Sequence, residues 1–373
     1  MNSPKFSSPR LPDYKGACIT GIIPAILGPG GTRDLPDWMP NCVRNSKQVV
    51  LLVLDGLGWH QLQKNLDNCP TMAAMQGSSI TTVAPTTTVS ALTSITTGLA
   101  PAEHGLVGYR VDMGAQVMQM LRWGDEKGDL RNLYRPEIVQ PCPPFMGASV
   151  PVLSKAELEG TAFTEAHLRG ARPMGWRAPS SIAVEVGRLL RAGEKFVYAY
   201  YDGVDKIAHE RGFGDFYEAE LRTADTIVQR VRDALVPGSA LIVTADHGQV
   251  MVGDNTISPH PDVLALTSHQ SGEGRFRWLH ARNGADAELL ARATVHHGEQ
   301  AWVVGRSQVI EENWLGPRLG AATKKRLGDV ALVARDPISF DDAADSGSFL
   351  LQCRHGALTD DELDVPLLAT ADQ

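Results

Sequence analysis

The stretch Gln48-Val-Val-Leu-Leu-Val-Leu54, which runs without a break into Asp55-Gly56, decides the fold class. A continuous apolar run that ends at a turn is typical of a strand buried on both faces, as in a parallel sheet. Two later runs have the same form, residues 195–201 before Asp202 and residues 239–245 before Asp246. Between them, residues 216–235 carry apolar side chains near helical spacing. The sequence therefore predicts an α/β fold with a mainly parallel central sheet and helices on both faces.

The rest of the chain is arranged around that sheet. Residues 1–45 are rich in Pro, Gly and Ser without a sustained period, which predicts an arm that lies on the surface. Residues 46–373 are predicted to form a single domain, with further short strands near 277–281, 301–304 and 329–334. From about 111 to 179 the pattern breaks into short segments separated by Gly and Pro. We expect this part to be an insertion that packs over one end of the sheet.

Charge and composition exclude several classes of protein. The chain has 35 Lys and Arg against 43 Asp and Glu, a net charge of −8, which argues against a protein that binds nucleic-acid polymers through a basic surface. The five Cys are scattered without a Cys-x-x-Cys pair, so neither a disulfide framework nor a thiolate zinc site is predicted. The first apolar run, residues 18–27, is short and broken by Gly and Pro, and no other segment resembles a membrane span or a signal peptide. A cytoplasmic protein without a membrane partner is expected, and the sequence leaves its oligomeric state open.

Acidic residues follow each of the three apolar strands. Asp55 and Asp246 come directly after two of them, and Asp205 lies just beyond the third. In open α/β sheets the carboxyl ends of the strands line the ligand site, so these carboxylates should meet there. Asp205 and His209 are four residues apart, one helical turn, and His247 adjoins Asp246. One such Asp would ordinarily be a turn or helix-capping residue, but the combination of oxygen and imidazole ligands suits zinc or a similar divalent ion.

A threonine-rich segment supplies the second candidate. In Pro85-Thr-Thr-Thr-Val-Ser-Ala-Leu-Thr-Ser-Ile-Thr-Thr-Gly98, apolar residues recur at helical spacing in spite of the poor helix propensity of Thr. A helix that begins near Thr88 and stops at Gly98 would place a hydroxyl at its N-terminus. There the free N–H groups and the helix dipole stabilise an alkoxide or a phosphoryl oxygen. The alternative is that Thr88 only caps the helix.

Together these motifs resemble the alkaline phosphatase superfamily, and within it the type I phosphodiesterase/nucleotide pyrophosphatase family. The resemblance runs in order from about residue 48 to 368, through Asp55-Gly56, Pro85-x-x-Thr88, Thr97-Gly98-Leu99-x-Pro101-x-x-His104-Gly105, Asp205-x-x-x-His209, Asp246-His247-Gly248 and His355-Gly356. It implies an alkaline phosphatase-like fold, two divalent metal ions, with zinc expected, and a threonine nucleophile. One ion would be held by Asp205, His209 and His355, and the other by Asp55, Asp246, His247 and the hydroxyl of Thr88.

The choice among neighbouring candidates also follows the family pattern. Thr88 stands three residues after Pro85, as the family's nucleophile does. His355 begins a His-Gly segment that lies before a Val-Pro, whereas His260 is the alternative ligand if that match fails. The family usually has an Asn a little after the His-Gly of the nucleophile motif. Here Tyr109 takes that place and is the expected substrate contact, with Arg110 beside it as a possible source of positive charge.

The function implied is a metal-dependent hydrolase of small phosphate esters. Diesters or nucleotide pyrophosphates are the leading substrates, cleaved through a phosphothreonine intermediate. A phosphomonoesterase, a phosphate-transferring mutase and a catalytically inactive metal-binding relative stay open as alternatives. Two divalent cations would outweigh the three carboxylates that bind them, so an acidic protein could still attract a small phosphate ester at this one point.

Overall fold

A computed structural model describes residues 8–345 and 351–372 as a mixed α/β structure. The strands, numbered along the chain, are β1 Gln48–Leu54, β2 Gln76–Thr81, β3 Arg110–Asp112, β4 Val117–Gln119, β5 Gly124–Asp125, β6 Gly128–Asp129, β7 Pro151–Leu153, β8 Arg172–Pro173, β9 Phe196–Tyr201, β10 Ser239–Thr244, β11 Val250–Met251, β12 Thr256–Ile257, β13 Thr267–Glu273, β14 Phe276–Ala281, β15 Ala301–Gly305, β16 Val330–Ala334, β17 Ser339–Phe340, β18 Cys353–Arg354 and β19 Asp364–Asp372.

The helices connect these strands and cover the sheets. They are α1 Ile22–Leu27, α2 Trp59–Gln63, α3 Pro70–Ala73, α4 Thr88–Thr97, α5 Pro101–His104, α6 Pro136–Val139, α7 Ala162–Leu168, α8 Ser180–Arg191, α9 Gly203–Arg211, α10 Asp215–Asp233, α11 Pro261–Leu266, α12 Asp286–His297, α13 Arg306–Glu311, α14 Ala321–Lys324 and α15 Asp360–Leu363. Short 3₁₀ turns occur at Ile19–Gly21, Gly31–Arg33, Asn41–Val43, Leu66–Asn68, Pro144–Gly147 and Ala156–Leu158. In the part of the chain that the structure describes, no helix is long and apolar enough to cross a membrane.

The central sheet has seven strands in the order β2-β19-β10-β1-β9-β7-β8. The strands from β10 to β8 run parallel, and β19 pairs antiparallel with both β10 and β2. Strands β9 and β10 are buried along their whole length and β1 is buried after its first residue, as their unbroken apolar sequences require. The predicted mainly parallel sheet is confirmed, with β1 between the other two predicted strands. All three therefore end at the same edge of the sheet.

A second sheet of eight strands was not predicted from the sequence. Its order is β15-β16-β14-β13-β3-β4-β5-β6, and neighbouring strands are antiparallel throughout. The short strands expected in the C-terminal third are present at β14, β15 and β16. What the sequence did not show is that these strands continue into β3–β6, which lie more than 130 residues earlier in the chain.

Part of the segment from 111 to 179 lies over one end of the central sheet as expected, since Leu158 and Phe163 line a cavity beside Asp55 and Thr88. Other parts of it are built into the two sheets. Its first part extends the second sheet, whereas Pro151–Leu153 pairs parallel with β9 and becomes part of the central sheet. Its helix α7 packs against α4. The reason is local: Pro151–Leu153 is a short, fully buried apolar run, which satisfies its backbone groups by joining an open sheet edge.

The surface arm expected at residues 1–45 is also different where the structure describes it. Ile19, Ile22 and Ile23 have no exposed area and belong to the main hydrophobic core. The turn and helix that carry them pack against α4, so this stretch covers the helix that bears the threonine-rich segment. Residues 1–7 lie outside the described part of the chain.

Candidate metal centre and nucleophile

The end of the central sheet brings three of the predicted residues together. Asp55 and Asp246 follow adjacent strands, and the imidazole of His247 lies between their carboxylates. Its Nε2 is 3.5 Å from Asp55 Oδ1 and 3.4 Å from Asp246 Oδ2. All three side chains are buried, with at most 3% of any of them exposed. They form one group whose possible ligand atoms lie within 4.8 Å of one another.

A second group adjoins the first. Asp205 and His209 lie one turn apart in α9, with His209 Nε2 3.2 Å from Asp205 Oδ1. His355 Nε2 lies 4.0 Å from the same oxygen. Asp205, His247 and His355 also have ligand atoms within 4.8 Å of one another, and the rings of His247 and His355 stack 3.6 Å apart. The two predicted ligand sets are therefore neighbours.

The alternative ligand, His260, lies elsewhere. It precedes α11, stacks on His296 of α12 and lies close to Asp262. The structure thus brings His355, and not His260, to the ends of the central strands.

Each imidazole of the centre is held by a backbone carbonyl. The Nδ1–H groups of His247, His209 and His355 donate to carbonyl oxygens of Gly248, Cys353 and Thr86, at 3.0, 2.7 and 2.8 Å. Because a carbonyl can only accept, the proton of each neutral ring lies on Nδ1, and Nε2 presents a lone pair to the carboxylates. Histidines that bind metals are commonly oriented in this way.

The carboxylates are oriented as well. Asp246 Oδ1 accepts the backbone N–H groups of Gly56 and His247, at 3.1 and 3.0 Å, and Tyr200 donates its hydroxyl to Asp55 Oδ2. The other oxygens, Asp55 Oδ1 and Asp246 Oδ2, are buried and have no hydrogen-bond partner among the residues that the structure describes. Buried acceptors that face lone pairs of imidazoles are unfavourable unless a cation lies between them, so the side chains present fit divalent metal ions.

Burial and the neighbouring charges shift the pKa values of these carboxylates and imidazoles. Burial, followed by the proximity of Asp246 and Asp205, raises the pKa of Asp55 well above its usual range, and burial also raises that of Asp246. Burial and the neighbouring imidazoles of His247 and His209 lower the pKa of His355. Burial acts to raise the pKa of Asp205, but the attraction of the protonated form of His209, followed by that of the other imidazoles, outweighs it, so that the pKa of Asp205 is lowered. Asp205 in turn acts to raise the pKa of His209.

Gly56 allows the first strand to approach the helix that carries Asp205. Its φ is +74°, in the left-handed region, and a Cβ at this position would lie 2.9 Å from the Cα of Asp205. Only glycine adopts this conformation without strain while leaving that space.

Thr88 is the first residue of α4 and faces the centre. The predicted helix is confirmed: Val89, Leu92 and Ile95 are buried, as are the other residues from 89 to 97, and Gly98 ends the helix in the left-handed conformation with φ of 70°. The hydroxyl of Thr88 lies 3.2 Å from His247 Nε2. The hydroxyl of Thr86 is committed elsewhere, since it donates to the carbonyl of Ala357.

Two cavities meet at Thr88. One, of about 410 Å³, is lined by Asp205, His209 and His355 on one side and by Tyr109, Glu273 and Arg354 on the other. The second, of about 250 Å³, is lined by Asp55 and by apolar side chains that include Leu92, Leu158 and Phe163. A bound group at Thr88 therefore has space on two sides.

Tyr109, the expected substrate contact, and its neighbour Arg110 point to different parts of the structure. The side-chain amide of Gln119 donates to the hydroxyl oxygen of Tyr109, so the phenol proton of Tyr109 stays available to a ligand. Arg110 points to two carboxylates, Asp342 and Asp345, and its charge is balanced there. Tyr109 lines the larger cavity, and Arg110 does not.

Four residues of the site escaped the sequence analysis. Tyr200 and Gln249 hold metal-centre carboxylates, with the Gln249 amide 2.5 Å from Asp205 Oδ1. Glu273 is buried beside His355, and burial raises its pKa to about 8. Arg354 lines the cavity, and its Nε has no hydrogen-bond partner within residues 8–345 and 351–372. The alternation of β9 could have indicated Tyr200, which shares a face with Tyr198, but the other three carry no local signal.

Comparisons with known proteins identify the family and the fold of the chain. A family model described as type I phosphodiesterase/nucleotide pyrophosphatase matches residues 49–357. The structure of murine ectonucleotide pyrophosphatase/phosphodiesterase 5 aligns with a TM-score of 0.63 at 15% identity, over 86% of this chain and 87% of that one. Phosphonoacetate hydrolase from Sinorhizobium meliloti, in complex with phosphonoformate, aligns with a TM-score of 0.61 at 18% identity, over 87% and 90% of the chains. At these identities the structural similarity shows the fold. No curated protein sequence matches the chain.

Proposed function

Because the chain belongs to the type I phosphodiesterase/nucleotide pyrophosphatase family, and so is a phosphoric ester hydrolase, we propose that it cleaves small phosphate diesters or nucleotide pyrophosphates at a two-zinc centre with Thr88 as nucleophile. The observation that carries the proposal is the arrangement around His247. Its Nε2 faces the hydroxyl of Thr88 and two buried carboxylate oxygens that have no hydrogen-bond partner in the described part of the chain.

In this proposal Asp205, His209 and His355 hold one ion, and Asp55, Asp246, His247 and the Thr88 hydroxyl hold the other. Ligands of nitrogen and oxygen without thiolate suit zinc. Bound divalent ions would lower the pKa of a hydroxyl and neutralise charge on the phosphoryl group.

The residues of the chain perform the remaining steps. As Thr88 Oγ1 forms a bond to phosphorus, the hydroxyl proton passes to solvent, the bond from phosphorus to the leaving oxygen breaks, and that oxygen takes up a proton from water. Thr88 then carries the phosphoryl group together with its remaining ester substituent. Water attacks the same phosphorus, the bond from phosphorus to Thr88 Oγ1 breaks, and one proton of that water restores the threonine hydroxyl. The first N–H groups of α4, which have no partner within the helix, stabilise negative charge on the phosphoryl oxygens. The free phenol proton of Tyr109 is positioned to donate to a substrate in the larger cavity.

The two cavities favour a diester over a monoester. A phosphate diester carries two substituents, whereas a monoester carries one. The cavity lined by Leu158 and Phe163 is suited to an organic group, and the more polar cavity beyond Tyr109 can hold the second. An inactive variant of murine ectonucleotide pyrophosphatase/phosphodiesterase 5 has been solved with AMP, and the Sinorhizobium enzyme with phosphonoacetate. We propose a substrate of similar size; the cytoplasmic location and the exclusion of nucleic-acid polymers stay predictions of the sequence.

The experiment compares an aryl phosphate diester with the matching aryl monoester on zinc-loaded protein, with chelator-treated protein as the control. We expect turnover of both to depend on the metal and kcat/KM to be higher for the diester. A higher kcat/KM for the monoester would favour the phosphomonoesterase alternative. Failure on both substrates with zinc bound would refute the hydrolase and favour the inactive metal-binding relative.

A further inference from the structure

A cluster of Asp112, His269 and His280 lies on the second sheet and shares no residue with the candidate metal centre. His269 and His280 are directly opposite each other on the antiparallel strands β13 and β14, and Asp112 ends the adjacent strand β3. One possible ligand atom from each of the three lies within 4.8 Å of the others. The side chains of Asp112 and His280 are largely buried, whereas 43% of the His269 side chain is exposed.

The distances in this cluster suit metal ligands better than hydrogen bonds. Asp112 Oδ2 lies 3.3 Å from His269 Nε2 and 3.4 Å from His280 Nδ1. A charge-assisted N–H···O bond is usually about 2.7–2.9 Å long. Two ligands of a tetrahedral zinc ion with bonds of about 2.0–2.1 Å are about 3.3–3.4 Å apart. Both separations correspond to that second value.

The protonation of His269 is set by its neighbour. The hydroxyl of Ser268 donates to the carbonyl oxygen of His280 at 2.9 Å, so the same hydroxyl can only accept from His269 Nδ1, which lies 3.0 Å away. The proton of a neutral His269 ring therefore lies on Nδ1, and a lone pair on Nε2 faces the Asp112 carboxylate. Two acceptors that face each other repel unless a cation lies between them.

The other two side chains are held in a matching way. His280 Nε2 lies 2.8 Å from the hydroxyl of Ser271, which leaves its Nδ1 directed at Asp112. Asp112 Oδ1 accepts the backbone N–H of Gly114 at 2.7 Å, which leaves Oδ2 directed at the two rings. Each possible ligand thus has its other polar atom fixed by a neighbour, as metal ligands generally do. The rings stack 4.0 Å apart, much as His247 and His355 do in the candidate metal centre.

We infer that Asp112, His269 and His280 form a separate site for a divalent cation of the zinc type, which ties β3 to the β13–β14 hairpin. Three protein ligands leave a fourth position for water, and the exposed edge of His269 gives the ion access from solvent. The strand β3 continues from Tyr109, so an ion here would also stiffen the wall of the larger cavity. The site rests on its own geometry and does not depend on the proposed hydrolase activity.

A third cluster, His260, Asp262 and His296, lacks this arrangement. His260 Nδ1 already accepts the backbone N–H of Asp262 at 3.2 Å, so its lone pair is in use. Asp262 is also more than half exposed. A His296→Ala variant is therefore a control for imidazole loss from a cluster that we expect to hold no ion.

The test counts zinc ions per chain by elemental analysis after equilibration with Zn²⁺ and removal of the excess by gel filtration. We expect His269→Ala to bind one ion fewer than the wild-type chain, and His296→Ala to bind the same number. The difference of one ion holds whatever the catalytic centre binds, so failure of this proposal and failure of the proposed function give different results. Equal counts in the wild type and His269→Ala would overturn the proposal, and so would loss of the ion in His296→Ala alone.

A second variant removes only the group that orients His269. Ser268→Ala keeps all three ligands, and we expect its Zn²⁺ affinity at this site to fall about 10- to 100-fold, the usual effect of losing such a partner. Titration with Zn²⁺ against a competing chelator measures this change, with the melting temperature of the metal-free variant as a check on folding. An unchanged affinity in a folded Ser268→Ala protein would contradict the role assigned to the lone pair on His269.

Discussion

Removal of one hydroxyl tests how the candidate metal centre is built. The Tyr200 hydroxyl donates to Asp55 Oδ2 in a fully buried environment, which leaves Asp55 Oδ1 free to bind an ion. A Tyr200→Phe variant keeps the ring and the strand but removes this donor. Because the hydrogen bond favours the charged form of Asp55, its loss should raise the pKa of Asp55 further and weaken the binding of a cation.

The size of the effect follows from the burial of the bond. A hydrogen bond to a charged group contributes about 1.5–3 kcal/mol. At about 1.4 kcal/mol for each factor of ten, this corresponds to a loss of about 10- to 100-fold in zinc affinity. Measured effects of removing the hydrogen-bond partner of a metal ligand fall in the same range, about 10- to 100-fold.

The assay is zinc binding at pH 7 in competition with a chromophoric chelator. Tyr198→Phe is the matched control, since Tyr198 lies two residues earlier on β9 and its buried hydroxyl has no hydrogen-bond partner in the described part of the chain. We expect weaker binding of one of the two catalytic ions in Tyr200→Phe and none of this loss in Tyr198→Phe. Equal affinities in the wild type and Tyr200→Phe, or equal losses in both variants, would refute this account of Asp55.

Three further variants test other parts of the site. Tyr109→Phe should lower kcat/KM for an aryl diester by about 3- to 10-fold, the effect of one neutral hydrogen bond, with zinc content unchanged; a wild-type kcat/KM would remove Tyr109 from substrate binding. Asp246→Asn keeps an oxygen that accepts the N–H groups of Gly56 and His247 but removes the negative charge. Elemental analysis should therefore find at least one zinc ion fewer per chain in this variant. An unchanged zinc content would contradict the role of Asp246 as a metal ligand. Glu273 has a pKa of about 8 in the folded protein against 4.5 unperturbed, so its protonated form stabilises the fold and this contribution is lost as the pH rises from 4.5 to 8. The measurement is the free energy of unfolding of the metal-free protein in urea. Between pH 5 and pH 8 the Glu273→Gln variant should gain on the order of 4 kcal/mol relative to the wild type. A difference between variant and wild type that does not change with pH would contradict the burial of that carboxyl.

The central sheet could be predicted because its signal is local. Each of β1, β9 and β10 is an unbroken apolar run, and each run ends close to an Asp. The rule that parallel strands end at one edge then brings Asp55 and Asp246 together without any knowledge of the rest of the fold. The helix α4 could also be predicted, because the helical spacing of Val89, Leu92 and Ile95 outweighed the low helix propensity of threonine.

The second sheet could not be predicted, because the strands that pair in it are far apart in the sequence. Strands β3–β6 have only two or three residues each, too few to show a period. They are strands because they pair with distant residues, as Arg110 does with Gly272, and such pairing cannot be predicted from the sequence around Arg110. The burial of Ile19 is similar, because it depends on the packing of its turn against α4 and not on the Gly- and Pro-interrupted sequence around it.

The candidate metal ligands could be predicted from the sequence, but the residues that hydrogen-bond to them and orient them could not. The aspartates and histidines stand out through spacing, whereas Tyr200 and Gln249 act only through the carboxylate that each happens to contact. The protonation of the imidazoles depends on carbonyls such as that of Cys353, which lies 144 residues from His209. The nucleophile assigned to Thr88 and the ligand roles stay predictions that the geometry supports.

The most direct test of the central claim is kcat/KM of a Thr88→Val variant on an aryl phosphate diester, with equal zinc loading confirmed by elemental analysis. Valine keeps the branched shape of threonine at the start of α4 and removes only the hydroxyl, while Thr88→Ser keeps a hydroxyl as the matched control. We expect the loss in Thr88→Val to be about 10⁴-fold or more, as when other enzymes lose their nucleophile, and Thr88→Ser to retain activity. Turnover by zinc-loaded Thr88→Val within about tenfold of the wild type would contradict a threonine nucleophile.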